Sequence, residues 1–187
     1  MPEEELEIIR AIQKGDLERF GELYDAYIKK IYNFIFYKTH HREVAEDLTS
    51  ETFRKALASL GSYEPRYRFS AWLYRIARNT VIDYYRIQKP TASIEDAWDI
   101  ADDRDFTRDI DVRMKLEKVE EYLSALPAIK RDIIIMRVWQ GMSYKEIADV
   151  VDKSEDNCKK IFSRAIADLK SAMPLSLFLF FCLTTRL

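Results

Sequence analysis

Glycine and proline are scarce in this chain, at four and five residues of 187. Both residues interrupt helices and mark turns, so their scarcity predicts few turns and long helices. The alternating β-branched residues that are typical of strands are largely missing as well. Because 48% of the residues are hydrophobic and 33% are charged, the chain can bury a core beneath a charged surface. The composition therefore predicts an all-α globular protein.

Cysteine and histidine are also rare, and their spacing excludes several kinds of site. Cys158 and Cys182 lie too far apart for a C-x-x-C motif, and the adjacent His40 and His41 would point in different directions on a helix. We expect a buried thiol, two surface imidazoles, and neither a metal site nor a disulfide framework. The N-terminus is acidic and has no apolar signal core, which predicts a cytoplasmic protein.

Motifs of covalent catalysis are missing too. The sequence has no glycine-rich phosphate loop, no nucleophile elbow and no cluster of carboxylates with histidine. We therefore expect no enzyme, no cofactor and no small-molecule substrate. The net charge is only −2, so any affinity for nucleic acid has to come from the local distribution of charge.

Helical periodicity is the strongest pattern that the sequence does contain. Apolar residues recur at steps of three and four over 3–38, 41–60 and 69–86. The first of these ranges is predicted to hold two helices, because Gly15 interrupts it and Asp16 is the expected N-cap of the second helix. Four helices with short connections predict one N-terminal bundle, to which we assign residues 1–90.

The composition changes between residues 91 and 115, where eight acids meet four basic residues and apolar positions are sparse. This pattern predicts a flexible, acidic linker. A second helical unit follows over 116–173, in which Ser143 and Glu146 have the spacing of a capping box. A tight turn and a longer amphipathic helix come next, and together they predict a helix-turn-helix.

The last segment, 174–187, carries an apolar run that is about half as long as the ~20 residues of a membrane-spanning helix. It could pack on the second domain, contact a membrane surface or form an unusual terminus. Of these we favour packing on the second domain, and the role of this tail stays open.

The most informative segment is FSAWLYRIARNTVIDYYR, residues 69–86. One side of this helix is aromatic and apolar, and another carries Arg75, Arg78, Asn79 and Arg86. Together with its flanks the segment holds six basic residues and a single acid. Aromatic residues at helical spacing usually belong to a core, and charges to a solvated face. The combination nevertheless suits unpaired nucleic acid, because cations hold phosphates while rings stack on bases.

A second charged feature is an acidic ridge on the third helix. Glu43, Asp47 and Glu51 recur at intervals of four residues, which places their carboxylates on one face. Like charges at this spacing repel each other mildly, and a basic partner would relieve them. Acids near a helix N-terminus also interact favourably with the helix dipole. The residues alone therefore leave a binding role and a structural role equally open.

Three motifs together resemble bacterial sigma factors of the extracytoplasmic-function (ECF) group. FSAWLYRIARNTVIDYYR is similar to their promoter-melting and minus-ten recognition helix, and EVAEDLTSETFRKAL to the segment that docks on the clamp helices of RNA polymerase. LPAIKRDIIIMRVWQGMSYKEIADVV and the following helix are similar to the domain that reads the minus-thirty-five element. The resemblance covers residues 10–90 and 116–172. It implies a sigma region 2, a linker directed toward the polymerase cleft, and a sigma region 4.

The resemblance also implies three sets of binding residues. Core polymerase would be bound by Glu43, Glu46, Asp47 and Glu51. Minus-ten DNA would be bound by Arg66, Arg68, Arg75, Arg78, Asn79 and Arg86. In this second set Asn79 and the loop 62–68 would capture an unstacked base, since an amide has both a donor and an acceptor, and the arginines would hold phosphates. Minus-thirty-five DNA would be bound by Ser154, Glu155, Asp156, Asn157, Lys159, Lys160, Ser163 and Arg164.

The expected recognition helix departs from the family pattern. Asn157 and Cys158 stand where threonine and valine are common, and Lys160 and Ile161 replace a common Ser-Arg pair. Cys158 fits an inner face. The missing arginine, beside two acids, weakens the expected binding to duplex DNA, for which the neighbouring lysines could compensate.

The sequence therefore predicts a transcription initiation factor. The resemblance implies that it binds core RNA polymerase at the clamp helices and flap, directs the enzyme to promoter DNA and opens the duplex, with an anti-sigma factor as a further partner. An alternative is a sigma-like mimic that sequesters an anti-sigma factor without productive DNA binding, although such a mimic predicts erosion of the basic face. A helix-turn-helix repressor is a third hypothesis, but it leaves the first ninety residues unexplained.

Overall fold

A computed structural model describes residues 3–65, 68–88 and 110–185. Arg66 and residues 91–109 of the expected linker lie outside the described residues. Throughout the described ranges the regular elements are helices, in agreement with the all-α expectation.

The N-terminal half is a bundle of four helices. They are α1 (Glu3–Gln13), α2 (Phe20–Thr39), α3 (Arg42–Ser59) and α4 (Phe69–Gln88). Ile31 and Phe34 of α2, Ala56 of α3 and Leu73 of α4 are fully buried at its centre. Their spacing of three or four residues within each helix turns one apolar stripe inward, as expected from the sequence.

Two local predictions in this half are wrong. Asp16 makes no capping hydrogen bond, because a short 3₁₀ turn, Leu17–Arg19, precedes α2. His40 is buried, since it ends α2 in the left-handed conformation (φ 49°) and its ring lies against the C-terminal half. His41 instead caps α3, where its Nδ1 accepts a hydrogen bond from the Val44 amide at 3.4 Å.

The C-terminal half has five helical segments. They are α5 (Ile110–Ser124), α6 (Ala128–Ile134), which continues into a π-helical turn (Ile135–Trp139), α7 (Tyr144–Val151), α8 (Glu155–Ala172) and α9 (Leu175–Thr185). The capping box between Ser143 and Glu146 is present in both directions, as expected. Asp152 then reverses the chain with a positive φ of 55°, which confirms the turn of the helix-turn-helix. Helix α5 starts at Ile110, so helical structure begins before the expected boundary at residue 116.

The apolar tail forms α9 and packs on the C-terminal half, as favoured from the sequence. Its inner side chains Leu177, Phe178 and Phe181 are buried, and the Phe181 ring lies 5.9 Å from that of Trp139. The opposite side of the helix is exposed, most strongly at Leu183 (81%). Among the residues that the structure describes, no helix is long and apolar enough to span a membrane.

We expect Phe181→Ala to destabilise the protein by about 3–5 kcal/mol, because it leaves a cavity beneath α9. The free energy of unfolding is measured by urea denaturation with tryptophan fluorescence, which Trp139 reports locally. Leu183→Ala on the exposed side of the same helix is the matched control and should change this free energy by less than about 0.5 kcal/mol. Equal effects of the two substitutions would contradict the packing of α9.

Candidate polymerase and nucleic-acid interfaces

The acidic ridge lies on the outer face of α3. Glu43 and Asp47 are exposed and Glu51 is partly exposed, while Leu48 and Phe53 of the same helix point into the core. Glu51 accepts two hydrogen bonds from the guanidinium of Arg54, at 2.6 and 2.7 Å. These hydrogen bonds lower the pKa of Glu51, which favours its ionised form. The structure therefore presents a line of carboxylates to solvent.

Glu46 lies beside the ridge and borders a shallow groove between α2 and α3. Its carboxylate pairs with Arg42 at 2.9 Å. The groove is lined by Tyr24, Ile28, Lys29, Tyr32, Glu46, Thr49 and Ser50. Sequence reasoning missed this groove and its two tyrosines. Tyr24 is 40% exposed, which gives this face an aromatic contact next to the acids.

The aromatic stripe of α4 is mostly core, as the simpler interpretation of the sequence had it. Phe69 is buried, and its ring lies 5.4 Å from that of Trp72 and 5.9 Å from that of Tyr63. The loop before the helix is fixed by Gln13, whose amide donates to the carbonyls of Leu60 and Tyr63 at 3.1 and 2.8 Å. The start of α4 and its preceding loop are thereby positioned as one unit.

Two of the predicted minus-ten residues on α4 are exposed. Asn79 faces solvent, and so does Arg86, which pairs with Asp83 at 3.4 Å. Asp83 is thus a partner of an arginine on its own helix. The amide of Asn79 is therefore available to a ligand in the structure as it stands.

Three other arginines of the predicted minus-ten set contact the C-terminal half. Arg68 pairs with Glu146 at 3.1 Å, and Arg75 donates to the main-chain carbonyl of Asp149 at 3.1 Å. Arg78 pairs with Asp132 at 2.8 Å. The C-terminal half therefore occupies the positions where phosphates were expected.

Asp132 is at the centre of this contact. One carboxylate oxygen accepts from Arg78 of α4, and the other from Lys38 of α2. Both Lys38 and Asp132 are almost completely buried, with 2% and 1% of their surface exposed. We call these three residues the Asp132 cluster.

Opposite effects act on the pKa values of Asp132 and Lys38. Burial alone would raise the pKa of Asp132, but the adjacent Lys38 and Arg78 hold it below its usual value. Burial lowers the pKa of Lys38 to about 8, against the opposing attraction of Asp132. Sequence reasoning missed Lys38 and Asp132, although each was a charged residue within an apolar run, IYNFIFYK and DIIIM.

Neutral contacts surround the Asp132 cluster. Tyr74 of α4 donates to the side chain of Gln140 at 2.9 Å, and the ring of Tyr37 lies 5.2 Å from that of Trp139. At the edge, the Nδ1 of His40 lies 3.4 Å from a carboxylate oxygen of Glu120 on α5. Within the described ranges, no three His, Cys, Asp or Glu side chains are grouped so that they could hold a metal ion.

Helix α8 has the geometry of a recognition helix. All eight residues predicted to bind minus-thirty-five DNA are exposed. They are Ser154, Glu155, Asp156, Asn157, Lys159, Lys160, Ser163 and Arg164. The hydroxyl of Ser154 caps the helix by accepting a hydrogen bond from the main-chain N–H of Asn157 at 3.2 Å. Cys158 is buried on the inner face of the helix, as expected. Lys159 pairs with Glu155 at 2.8 Å, so part of its charge is neutralised within the helix.

Comparison with known proteins identifies the two halves. The family described as Sigma-70 region 2 matches residues 23–91, and the family described as Sigma-70, region 4 matches residues 116–169. The fold is similar to that of the sigma factor RpoE from Bartonella quintana, solved with the anti-sigma factor NepR. That likeness has a TM-score of 0.66 at 24% identity and covers 81% of this chain and 94% of that one.

Sequence relatives narrow the class. The chain is 33% identical over 184 residues to the ECF RNA polymerase sigma factor BldN of Streptomyces coelicolor, covering 90% of this chain and 66% of that relative. It is 30% identical over 151 residues to the ECF RNA polymerase sigma factor SigM of Bacillus subtilis, covering 80% of this chain and 92% of the relative. The chain belongs to the ECF RNA polymerase sigma factors, and it is a transcription initiation factor.

Proposed function

We propose that this chain binds core RNA polymerase through the acidic ridge of α3 and Glu46, and promoter DNA through α4 and α8. It acts in the cytoplasm, by positioning and melting DNA and without covalent chemistry. The observation that carries the proposal is the separation of charge on one bundle: carboxylates line the outer face of α3, while Asn79 and the arginines lie on α4.

Polymerase docking is supported by the state of the acidic ridge. Glu43 and Asp47 are exposed, and neither makes a side-chain ion pair within the described part of the chain. Four residues apart on one helix, they repel each other mildly, and a basic surface on the polymerase would reverse that repulsion. Tyr24 and Tyr32 in the neighbouring groove add aromatic surface, which is favoured in protein interfaces.

Minus-ten binding divides between two groups of residues. Asn79 is exposed and offers a donor and an acceptor to a base edge. Arg68, Arg75 and Arg78 would hold phosphates, and each has a partner in the C-terminal half. DNA binding through these arginines therefore requires the two halves to separate.

Minus-thirty-five binding is assigned to the N-terminal part of α8. Recognition helices present their first side chains to base edges in the major groove. Here Asn157 and Lys160 can reach base edges, and Arg164 lies nearer to the DNA backbone. Glu155 and Asp156 reduce the attraction to phosphates, so we expect duplex binding to depend on the other contacts with promoter and polymerase.

An anti-sigma factor is proposed as a further partner. The structurally similar RpoE was solved in complex with the anti-sigma factor NepR. The similar fold of this chain supports a partner of that kind.

The proposed function is tested by a pull-down with core RNA polymerase followed by run-off transcription on genomic promoter fragments. We expect stoichiometric capture and transcripts that depend on the added protein. Capture without promoter-dependent transcripts would contradict the proposal and favour a sigma-like mimic that only sequesters an anti-sigma factor.

Charge reversal in the acidic ridge should weaken polymerase binding. We expect Asp47→Lys to lower the affinity for core polymerase at least tenfold, or about 1.4 kcal/mol, because it sets like charges against each other. Fluorescence anisotropy of labelled protein measures the affinity. Glu7→Lys, the same charge change on the exposed side of α1, is the control, and an equal loss for both would refute the assignment.

Loss of the Asn79 amide should impair promoter opening alone. We expect Asn79→Ala to reduce the open-complex signal of a permanganate footprint or a 2-aminopurine probe about tenfold, since a bidentate base contact is worth roughly 1–3 kcal/mol. Polymerase affinity and the free energy of unfolding should stay unchanged. Asn33→Ala on α2 is the matched control; a parallel loss of polymerase affinity in Asn79→Ala would indicate a structural role instead.

A further inference from the structure

We propose that Asp132 acts as an internal phosphate mimic: it occupies a two-cation site, formed by Lys38 and Arg78, that binds a backbone phosphate of promoter DNA when the two halves of the protein separate. This inference rests on the proposed function and extends it in two ways. It assigns Lys38 a DNA contact, and it makes closure of the protein and phosphate binding by Lys38 and Arg78 mutually exclusive.

The geometry of the Asp132 cluster supports this exchange of anions. Lys38 lies in the last turn of α2 and Arg78 lies on α4, so both cations belong to the N-terminal half. The only carboxylate of the cluster comes from the C-terminal half, and each of its oxygens accepts from one cation. A phosphodiester has two non-bridging oxygens on one atom, so it can bridge the same two donors.

The charge balance points in the same direction. Two cations face a single carboxylate, so the buried cluster carries an excess of positive charge. Arg131 lies next to Asp132, and it is also buried, donating to the carbonyls of Leu123, Ser124 and Leu126. When Asp132 withdraws, Lys38 and Arg78 lose the carboxylate that lies between them, which favours the arrival of another anion.

Closure also gives the neighbouring arginines partners in the C-terminal half. Arg68 and Arg75 bind to Glu146 and to the carbonyl of Asp149 on α7, so the whole basic face of α4 up to Arg78 is engaged at once. Exposed residues such as Asn79 and Arg86 do not take part. The apparent affinity of the free protein for single-stranded DNA is therefore proportional to the fraction of molecules that are open.

The test compares Asp132→Asn with Asp168→Asn. Asp168 pairs with Lys130 inside the C-terminal half at 2.5 Å, so this control makes the same change of net charge away from the interface. We expect Asp132→Asn to enlarge the radius of gyration in small-angle X-ray scattering. It should also raise the affinity for a mixed-sequence single-stranded oligonucleotide about tenfold or more, because phosphate contacts carry no sequence information.

A second variant tests the role of Lys38. In the Asp132→Asn background, Lys38→Met should lower the affinity for the oligonucleotide and reduce the slope of log affinity against log salt by about 0.7, as expected for the loss of one phosphate contact on a single strand. Lys30→Met, at an exposed position of the same helix, is the control and should leave this slope unchanged.

The outcomes separate the parts of the proposal. Equal scattering and equal affinity for Asp132→Asn and Asp168→Asn would overturn it. An opened protein whose salt slope does not respond to Lys38→Met would overturn the phosphate site. Should Asp132→Asn lose helix content by circular dichroism, Lys38→Met alone must still open the protein, since it removes the other half of the buried pair. Failure of run-off transcription by the wild-type protein would contradict the proposed function while leaving the measured opening intact.

Discussion

The arrangement of this protein depends on one buried carboxylate between two cations. Asp132 joins Lys38 of α2 and Arg78 of α4 across the boundary between the two halves, in a place from which water is almost excluded. A buried ion pair adds little stability beyond that of a well-packed apolar contact, but removing one partner costs about 3–5 kcal/mol. The cluster therefore acts as a condition on closure: packing of the halves requires Asp132 to lie between Lys38 and Arg78.

This condition gives the three interaction surfaces different availability. The acidic ridge on α3 and the outer face of α8 are exposed while the halves are packed together, whereas Arg68, Arg75 and Arg78 each have a partner in the C-terminal half. With the proposed assignment of surfaces, the chain could dock on the polymerase before its arginines on and before α4 bind DNA. The order of binding then follows from which contacts are already satisfied inside the chain, and no separate inhibitory domain is needed for it.

Local features were predictable because they depend on neighbours in sequence. The helices of the N-terminal bundle, the capping box of Ser143 and Glu146 and the inner face of α8 all follow from spacings of three or four residues. The same reasoning failed where a second element intervenes. Asp16 has the side chain of an N-cap, but a 3₁₀ turn separates it from α2, and His40 is buried by a helix that lies eighty residues further on.

The sequence by itself determined the helices, their inward faces and the family to which the chain belongs, since periodicity and motif are properties of short stretches. Only the tertiary structure decided which charges are matched. Arg78 and Asp132 lie 54 positions apart, and Lys38 and Asp132 lie 94 apart. Whether such a charge is solvated or buried depends on what packs against it, because the cost of desolvation is set by the surroundings of the folded site and not by the residues beside it in the chain.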